Sequence, residues 1–294
     1  MASETSARSL SDLSWTEVRL GSRDFTVLSA FIQKEVGIQV PPAKRVMLES
    51  RLRRRLRALG LKDFHTYTAR VLGPQRDEEE IINLIDAVTT NKTDFFREPH
   101  HFAYLEQHVL PQLVDMGIGA TTQPLTVWSA ASSTGEEPYT LAMVLSEFSE
   151  AHGIDWRIIA TDICTAVLAR ARRAIYGQEA VAPVPSALKA RYLLRSRDRS
   201  QGLVRVVPGL RRKVTFQRLN LLDHHYDIPR PIDVIFCRNV FIYFNRATQE
   251  QILLRFVDCL RPGGFVFLGH SETVTGLSVP LAQIAPTIYR KSLR

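Results

Sequence analysis

A short loop near the middle of the chain joins small residues to two adjacent acids. The stretch reads VWSAASSTGEEPY, Val127 to Tyr139, and its apolar start is typical of a buried strand. Its small residues allow a ligand to approach the backbone, and Pro138 suits a first helical turn. Glu136 and Glu137 would repel a pyrophosphate, and the Lys-Ser/Thr pair of a P-loop is absent. The loop therefore favours a ligand with a cationic or hydroxyl-rich portion.

A second acid, Asp162, follows another apolar run, WRIIATD. In dinucleotide-binding folds an acid at this position accepts hydrogen bonds from ribose hydroxyls. An adenosine ligand that lacks phosphates but carries an ammonium group satisfies both loops, and S-adenosylmethionine is such a ligand. Position alone allows a second interpretation equally well, in which Asp162 only caps the helix that follows. Glu136 and Glu137 have a similar alternative, since acids stabilise a helix N-terminus.

Four β-rich runs must position these loops, and helical segments alternate with them from residue 124 onward. The runs are PLTVWSAA, WRIIATDI, IDVIFCRN and GGFVFLGH. This alternation predicts an α/β fold with a mainly parallel sheet covered by helices on both faces. Ligands of such sheets bind at the carboxyl ends of the strands. The polar, compact segments at those ends are SAASSTGEEPY, ATDI, FCRNVFIYF and LGHSE, and we expect the site there.

The rest of the chain predicts further regions around this α/β domain. Apolar residues recur at helical spacing from residue 23 to 88, which predicts an all-α N-terminal domain over 21–90, after a disordered segment 1–20. Residues 91–123 are predicted to form a linker and a helix, and 124–294 the α/β domain. Its segment at about 178–215 is longer than a crossover helix requires, so it predicts an inserted subdomain, a helix followed by antiparallel strands.

Five motifs, in order along the chain, resemble those of CheR-type chemotaxis receptor methyltransferases. They are TTNKTDFFREPHHF, WSAASSTGEEPYTLAM, ATDICTAVLARARRAIY, FCRNVFIYF and LRPGGFVFLGHSE. The resemblance implies an all-α N-terminal domain and a Rossmann-like S-adenosylmethionine-dependent methyltransferase domain with an inserted small antiparallel β-subdomain. It also implies transfer of a methyl group from S-adenosylmethionine to glutamate carboxylates of bacterial membrane chemoreceptors. The products would be glutamate methyl esters and S-adenosylhomocysteine.

The same resemblance implies roles for individual residues. Arg97 and Tyr243 match the pair discussed as catalytic. The positions that match cofactor-binding residues of the family are Asn91, Thr93, Arg97, Glu136, Asp162, Asn220, Leu221, Arg238 and Asn239. Arg97 could grip either the substrate carboxylate or that of the methionine moiety. Packing is the alternative for Tyr243, which lies in an aromatic run, and Arg97 could instead cover neighbouring phenylalanines.

The basic character of the chain is concentrated in one predicted helix. The net charge is +8, and the stretch PPAKRVMLESRLRRRLRALGL contains seven bases and one acid. A leucine stripe is predicted to face inward, which leaves toward solvent Arg51, Arg53, Arg54, Arg55 and Arg57. The resemblance implies that this face docks the acidic methylation helices of receptors, whereas a merely solvated face is the alternative. Nucleic acid is not expected as a partner, because no aromatic residues interleave the bases.

Several remaining features set further expectations. Three scattered cysteines and the absence of a long apolar run indicate a reduced, cytoplasmic protein without membrane insertion. No metal is expected, because the adjacent His100 and His101 lack a carboxylate at ligand spacing. His270, Ser271 and Glu272 do not suggest a catalytic triad, since sequence neighbours rarely form one.

The partner expectations concern assembly and receptor tethering. We expect a monomer that does not depend on a receptor's C-terminal pentapeptide tether, because charged residues replace the family's glycines in LRSRDRSQGLVRV. Two function alternatives stay open: a methyltransferase-fold signalling module that binds the cofactor without methylating receptors, and a nucleic-acid methyltransferase.

Overall fold

A computed structural model of the protein describes residues 18–292, and the chain divides into two units between Thr90 and Asn91. The predicted disorder of residues 1–20 therefore falls almost entirely outside the described residues. The described part of the first unit, residues 18–90, contains four α-helices: Ser22–Val36 (α1), Arg45–Leu59 (α2), Phe64–Leu72 (α3) and Glu78–Val88 (α4). Local sequence sets their ends, since Asp63 and Asp77 cap α3 and α4 through Thr66 N and Glu80 N. Gly60 ends α2 in the left-handed conformation.

The second unit is built on a seven-stranded sheet. Its strands are Leu125–Ala130 (β1), Trp156–Asp162 (β2), Val214–Arg218 (β6), Ile232–Cys237 (β7), Leu260–Leu268 (β8), Leu281–Ala285 (β9) and Ile288–Lys291 (β10). The order is β6-β2-β1-β7-β8-β10-β9, with the first five strands parallel and β10 antiparallel to both neighbours. The predicted α/β class is confirmed. The strand prediction omitted β6, β9 and β10.

Helices cover this sheet on both faces. They are His100–Tyr104 (α5), Leu110–Asp115 (α6), Glu136–His152 (α7), Thr165–Arg173 (α8) and Arg246–Cys259 (α11), with a π-helical turn, Leu105–Val109, between α5 and α6. Successive strand residues enter different apolar clusters, because side chains alternate across a sheet. Val127 and Phe236 belong to one cluster, and Trp128 and Ile235 to the other. Burial on both faces explains why the parallel strands read as continuous apolar runs.

A small antiparallel sheet lies between β2 and β6 in sequence. Its strands are Ile175–Gly177 (β3), Leu193–Arg195 (β4) and Leu203–Val206 (β5), in the order β3-β5-β4. Two short helices accompany it, Ser186–Tyr192 (α9) and Pro208–Arg212 (α10). The expected antiparallel subdomain is present, but its first strand precedes residue 178, and β6 begins at Val214 as part of the large sheet. No helix among residues 18–292 has the length and apolar character needed to span a membrane.

Candidate active site

The loop after β1 has an unusual backbone that the sequence of small residues permits. Ala131, Ser133 and Gly135 all have positive φ, at 60°, 49° and 99°. A Cβ on Gly135 would come within 2.7 Å of the Tyr176 hydroxyl and 3.0 Å of Ala171 Cβ. Gly135 is therefore required by close packing against α8 and β3 as well as by its backbone conformation. The small residues of this loop were expected to allow a ligand to approach, but packing within the protein is a further reason for a glycine at position 135.

Asp162, at the carboxyl end of β2, fixes the β1 loop from the neighbouring strand. Its Oδ2 accepts from Ser133 N at 2.8 Å, and its Oδ1 accepts from Cys164 N at 2.9 Å. The residue is 6% exposed. Asp162 therefore organises the loops after β1 and β2 at the strand end, where ligands of parallel sheets bind.

Asn91 lies at the loops that follow β1 and β2. Thr93 makes no hydrogen bond with residues 18–292. Ser133 Oγ donates to Asn91 O at 2.9 Å, and Asn91 Nδ2 donates to Cys164 Sγ at 3.6 Å. Thr93 is only partly buried. The linker after residue 90 is therefore attached to the β1 and β2 loops through Asn91.

The two adjacent acids that begin α7 have separate environments. Glu136 is 5% exposed, its Oε2 accepts from Thr134 Oγ1 at 2.6 Å, and burial raises the pKa of its carboxyl. Glu137 is also buried, accepts from Ser129 Oγ at 2.7 Å and pairs with Arg238 Nε at 2.7 Å. Glu137 is thus paired with a cation inside the protein, whereas the hydrogen-bond donor to the Glu136 side chain is a hydroxyl, that of Thr134.

Arg238 is buried and links β7 to the segment before α5. Besides Glu137, its guanidinium donates through Nη1 to Arg97 O at 2.6 Å and contacts Glu98 Oε2 at 3.5 Å. Its side chain is 2% exposed and lies over Phe102 at 5.2 Å. The resemblance placed Arg238 in the wall of a cofactor pocket. In the structure its Nε and Nη1 atoms bind protein atoms, so Arg238 links Glu137 to the backbone of Arg97.

His101, in α5, completes the surroundings of Arg238. Arg238 Nη1 lies 3.3 Å from His101 Nδ1, and His101 Nε2 lies 2.9 Å from Thr287 Oγ1. Burial, followed by the charge of Arg238 and the neighbouring His100 and His270, lowers the pKa of His101 to about 3. The imidazole is therefore neutral, with Nδ1 accepting from Arg238. Among residues 18–292 no group of three or more His, Cys, Asp or Glu side chains is arranged to hold a metal ion.

Glu272 holds the turn that follows β7. Its Oε2 accepts from Asn239 N at 3.0 Å and Gly269 N at 2.6 Å, and its Oε1 accepts from Phe241 N at 2.7 Å. A Cβ on Gly269 would lie 2.7 Å from Asn239 N, so the β7 and β8 ends approach too closely for any side chain there. Asn239, with φ of 60°, donates to Glu98 Oε1 at 3.2 Å. This role of Glu272 was not predicted, although an acid soon after the apolar run of β8 was an available signal in the sequence.

Tyr243 and Arg97 occupy less constrained positions. Tyr243 closes a 3₁₀ turn, Phe241–Tyr243, and is partly exposed. The Tyr243 hydroxyl makes no hydrogen bond with residues 18–292. Arg97 is partly buried and donates through Nη1 to Lys92 O at 2.9 Å. The Tyr243 hydroxyl and the remaining Arg97 guanidinium donors can therefore form hydrogen bonds with a ligand.

The predicted adenine-flanking pair lies in the turn after β6. Asn220 Oδ1 accepts from Leu222 N at 3.0 Å, and Asn220 N donates to Asp223 Oδ2 at 3.3 Å. Leu221 is 8% exposed and belongs to an apolar cluster of the sheet. Backbone pairing of Asp162 with Arg218 places this turn beside the end of β2. The predicted positions after β1, β2, β6 and β7 thus gather at one edge of the sheet.

Two known protein-family domains match this chain, one over each of the two units. Residues 91–289 match the CheR methyltransferase SAM-binding domain, and residues 23–89 match the CheR methyltransferase all-alpha domain. The chain belongs to the CheR methyltransferase family. It is 40% identical over 273 residues to a chemotaxis protein methyltransferase of Salmonella typhimurium, covering 93% of this chain and 91% of the relative. It is also 40% identical to chemotaxis protein methyltransferase 2 of Pseudomonas aeruginosa over 266 residues, covering 90% and 92% of the two chains.

In the CheR all-alpha domain, the arginines of α2 divide into two groups. Arg51 donates to Thr89 O at 2.9 Å, Arg53 donates to Val18 O at 3.1 Å and pairs with Glu49, and Arg55 binds Glu80 at 2.9 and 2.6 Å. The exposed members are Arg54 and Arg57. The expectation that all five face solvent is therefore wrong for three, because acids and carbonyls of the same unit bind them.

Proposed function

We propose that this CheR methyltransferase transfers a methyl group from S-adenosylmethionine to glutamate side chains of a bacterial chemoreceptor. The observation that carries the proposal is the match of both units to CheR domains, together with relatives named chemotaxis protein methyltransferase that cover nearly the whole chain. The acids and small residues at the carboxyl edge of the sheet support it, because they suit the cationic and hydroxyl-bearing parts of this cofactor.

The cofactor would be held by the segments after β1, β2, β6 and β7. Asp162 lies at the carboxyl end of β2, where an acid accepts hydrogen bonds from ribose hydroxyls in dinucleotide-binding folds, and Glu136 begins α7 directly after the β1 loop. Asn91, Thr93, Asn220, Leu221 and Asn239 would complete the pocket. Arg238 supports it through Glu137 and the Arg97 carbonyl. When bound, the cofactor supplies an electrophilic methyl group.

The acceptor needs no general base. A glutamate carboxyl has an unperturbed pKa of about 4.3, so it is already an ionised nucleophile at neutral pH. Catalysis then depends on alignment, which can contribute on the order of 7 to 11 kcal/mol. Arg97 has guanidinium donors available to orient a carboxylate, and the Tyr243 hydroxyl can hydrogen-bond at the reacting centre. These two residues are proposed as catalytic.

Receptor docking is proposed to use the two exposed arginines of α2, Arg54 and Arg57. Both are available to an acidic partner, whereas Arg51, Arg53 and Arg55 have intramolecular partners. Surface charges of this kind steer association more than they add affinity. The protein is proposed to act in the cytoplasm as a monomer.

Independence from a pentapeptide tether is also proposed. The charged tip between β4 and β5 forms a short 3₁₀ turn, Arg199–Gln201, capped by the Asp198 side chain. Calorimetric titration with a receptor C-terminal pentapeptide tests this point. Tight binding would overturn it, and absence of binding alongside receptor methylation is expected.

A methyl-transfer assay tests the function. The protein is incubated with tritiated S-adenosylmethionine and chemoreceptor-containing membranes, and base treatment then releases methanol from any carboxyl methyl ester. We expect volatile counts that fall at least tenfold in Arg97→Ala and Tyr243→Phe, with the exposed Arg195→Ala as the matched control. Cofactor binding without transfer to any receptor would favour a signalling module, and transfer to nucleic acid instead would contradict the proposed substrate.

A further inference from the structure

A cavity lies on the methyltransferase unit beside the edge strand β6. Its volume is about 380 Å³, and its walls include Tyr139 of α7, Arg172 of α8, Arg211 and Arg212 of α10, and Phe216 of β6. Three of these side chains carry guanidinium groups, and none of the described residues that line the cavity is an acid. The site therefore concentrates positive charge around a space that the protein leaves open.

These arginines are not neutralised within the part of the chain that the structure describes. None of the three is in an ion pair there. Arg172 donates one hydrogen bond to Phe216 O at 2.8 Å, whereas Arg211 Nε is buried without a hydrogen-bond partner among residues 18–292. Like charges around one cavity repel each other, and an anion in the cavity would relieve that repulsion.

Position separates this cavity from the proposed cofactor site. Val214, the first residue of β6, lines the cavity and pairs with Ile158, whereas Asp162 pairs with Arg218 at the other end of the strand. Four residues of parallel strand correspond to about 13 Å. On β6 the cavity thus extends from Val214 to Phe216 and does not include Arg218, which pairs with Asp162.

We propose that this cavity, the arginine cavity, binds a small organic phosphate. The planar donors of arginine match phosphate oxygens in pairs, which gives both charge and geometry. Ligand pockets usually measure about 300 to 1,000 Å³, so this one accommodates an organic group beyond a bare phosphate. Pro208 and Phe216 supply an apolar wall for that group. This binding function is independent of the proposed methyl transfer.

Calorimetric titration of the full chain tests the proposal. The probes are inorganic phosphate and adenosine 5′-diphosphate, at low ionic strength and with S-adenosylhomocysteine at saturation, so that the cofactor site is filled. We expect binding that weakens at least tenfold in Arg211→Ala and in Arg212→Ala. Arg195 is an exposed residue of β4 outside the cavity, so the Arg195→Ala variant should bind both probes as the unmodified protein does.

The two probes distinguish the source of the phosphate group. Competition between them would show that the anion itself is sufficient, whereas binding of the nucleotide alone would show that the organic body is required, and either supports the proposal. Arg212 is exposed, so its variant preserves the test if Arg211→Ala does not fold. The proposal is overturned if neither probe binds at millimolar concentration, or if both cavity variants retain the original affinity.

Discussion

Charged residues are dense in two regions of this molecule, the acids at the carboxyl edge of the large sheet and the arginines of α2, and their partners differ. At the sheet edge Glu137 pairs with buried Arg238, and Glu272 binds the backbone of a turn. In α2, Arg55 binds Glu80, whereas Arg54 is exposed. Each region thus mixes charges that stabilise the fold with charges available to a ligand. Sequence density does not separate the two kinds, but the intramolecular partner does.

Among these predictions, removal of the Arg238 side chain at the sheet edge should have the largest effect on the stability of the fold. Arg238→Ala leaves the buried carboxylate of Glu137 without its cation, and we expect a loss of about 3 to 5 kcal/mol in unfolding free energy. Urea unfolding followed by tryptophan fluorescence measures this, because Trp128 and Trp156 lie in the large sheet. Arg195→Ala is the control. Equal stability of the two variants would show that Arg238 is not a structural link.

Two neighbouring arginines of α2 provide a matched comparison in the first unit. Arg55→Ala leaves buried Glu80 with only the Tyr67 hydroxyl and a weak amide contact, so we expect a loss of about 1 to 3 kcal/mol. Arg54→Ala removes an exposed charge and should change the stability little. Urea titration followed by circular dichroism compares the pair, and indistinguishable midpoints would contradict the division of α2 into two groups.

The exposed arginines should instead affect the encounter with a receptor. The Arg54→Ala/Arg57→Ala double variant is expected to slow receptor methylation several-fold at low salt, with a smaller effect at high salt, because screening weakens surface steering. Stopped-time methylation assays at two ionic strengths measure this. Affinity for S-adenosylhomocysteine should not change. A salt-independent rate loss would argue against electrostatic docking.

A smaller effect concerns pH and Glu136. Burial raises the pKa of the Glu136 carboxyl above its usual value, so just above that value the folded protein binds more protons here than the unfolded chain. The group therefore costs stability progressively as pH rises through this window. Glu136→Gln should be more stable than the unmodified protein at pH 7.5, with the difference shrinking at pH 4.5. Urea midpoints at both pH values check this, and Glu106→Gln, an exposed control, should show no such trend.

The sequence indicated which polar residues follow the strands, but not the contacts that support them. Asp162 and Glu136 were identifiable because small residues and acids follow continuous apolar runs, a local pattern. Glu272 was missed because its partners, the backbone N–H groups of Asn239 and Phe241, are about thirty residues away in sequence. Such contacts depend on the pairing of β7 with β8, which local periodicity does not specify.

The fold prediction failed in a similar way at β6. Its five residues, VTFQR, adjoin the inserted subdomain, and a short edge strand gives a weak periodic signal. The solvent-facing assignment of Arg51 was wrong for a related reason, since its acceptors Val88 and Thr89 end a different helix. Helical periodicity indicates which face is apolar but not which polar groups another element brings to the remaining faces.

Binding of S-adenosylhomocysteine to the unmodified protein and to Asp162→Asn is the most direct test of the central claim, that the strand ends form the cofactor site. Calorimetry should show one molecule bound per chain, with affinity at least about tenfold weaker in the variant, because hydrogen bonds to a charged group contribute about 1.5 to 3 kcal/mol. Asp258→Asn, an exposed position on α11, should bind normally. Equal affinity of Asp162→Asn and the unmodified protein would contradict the claim.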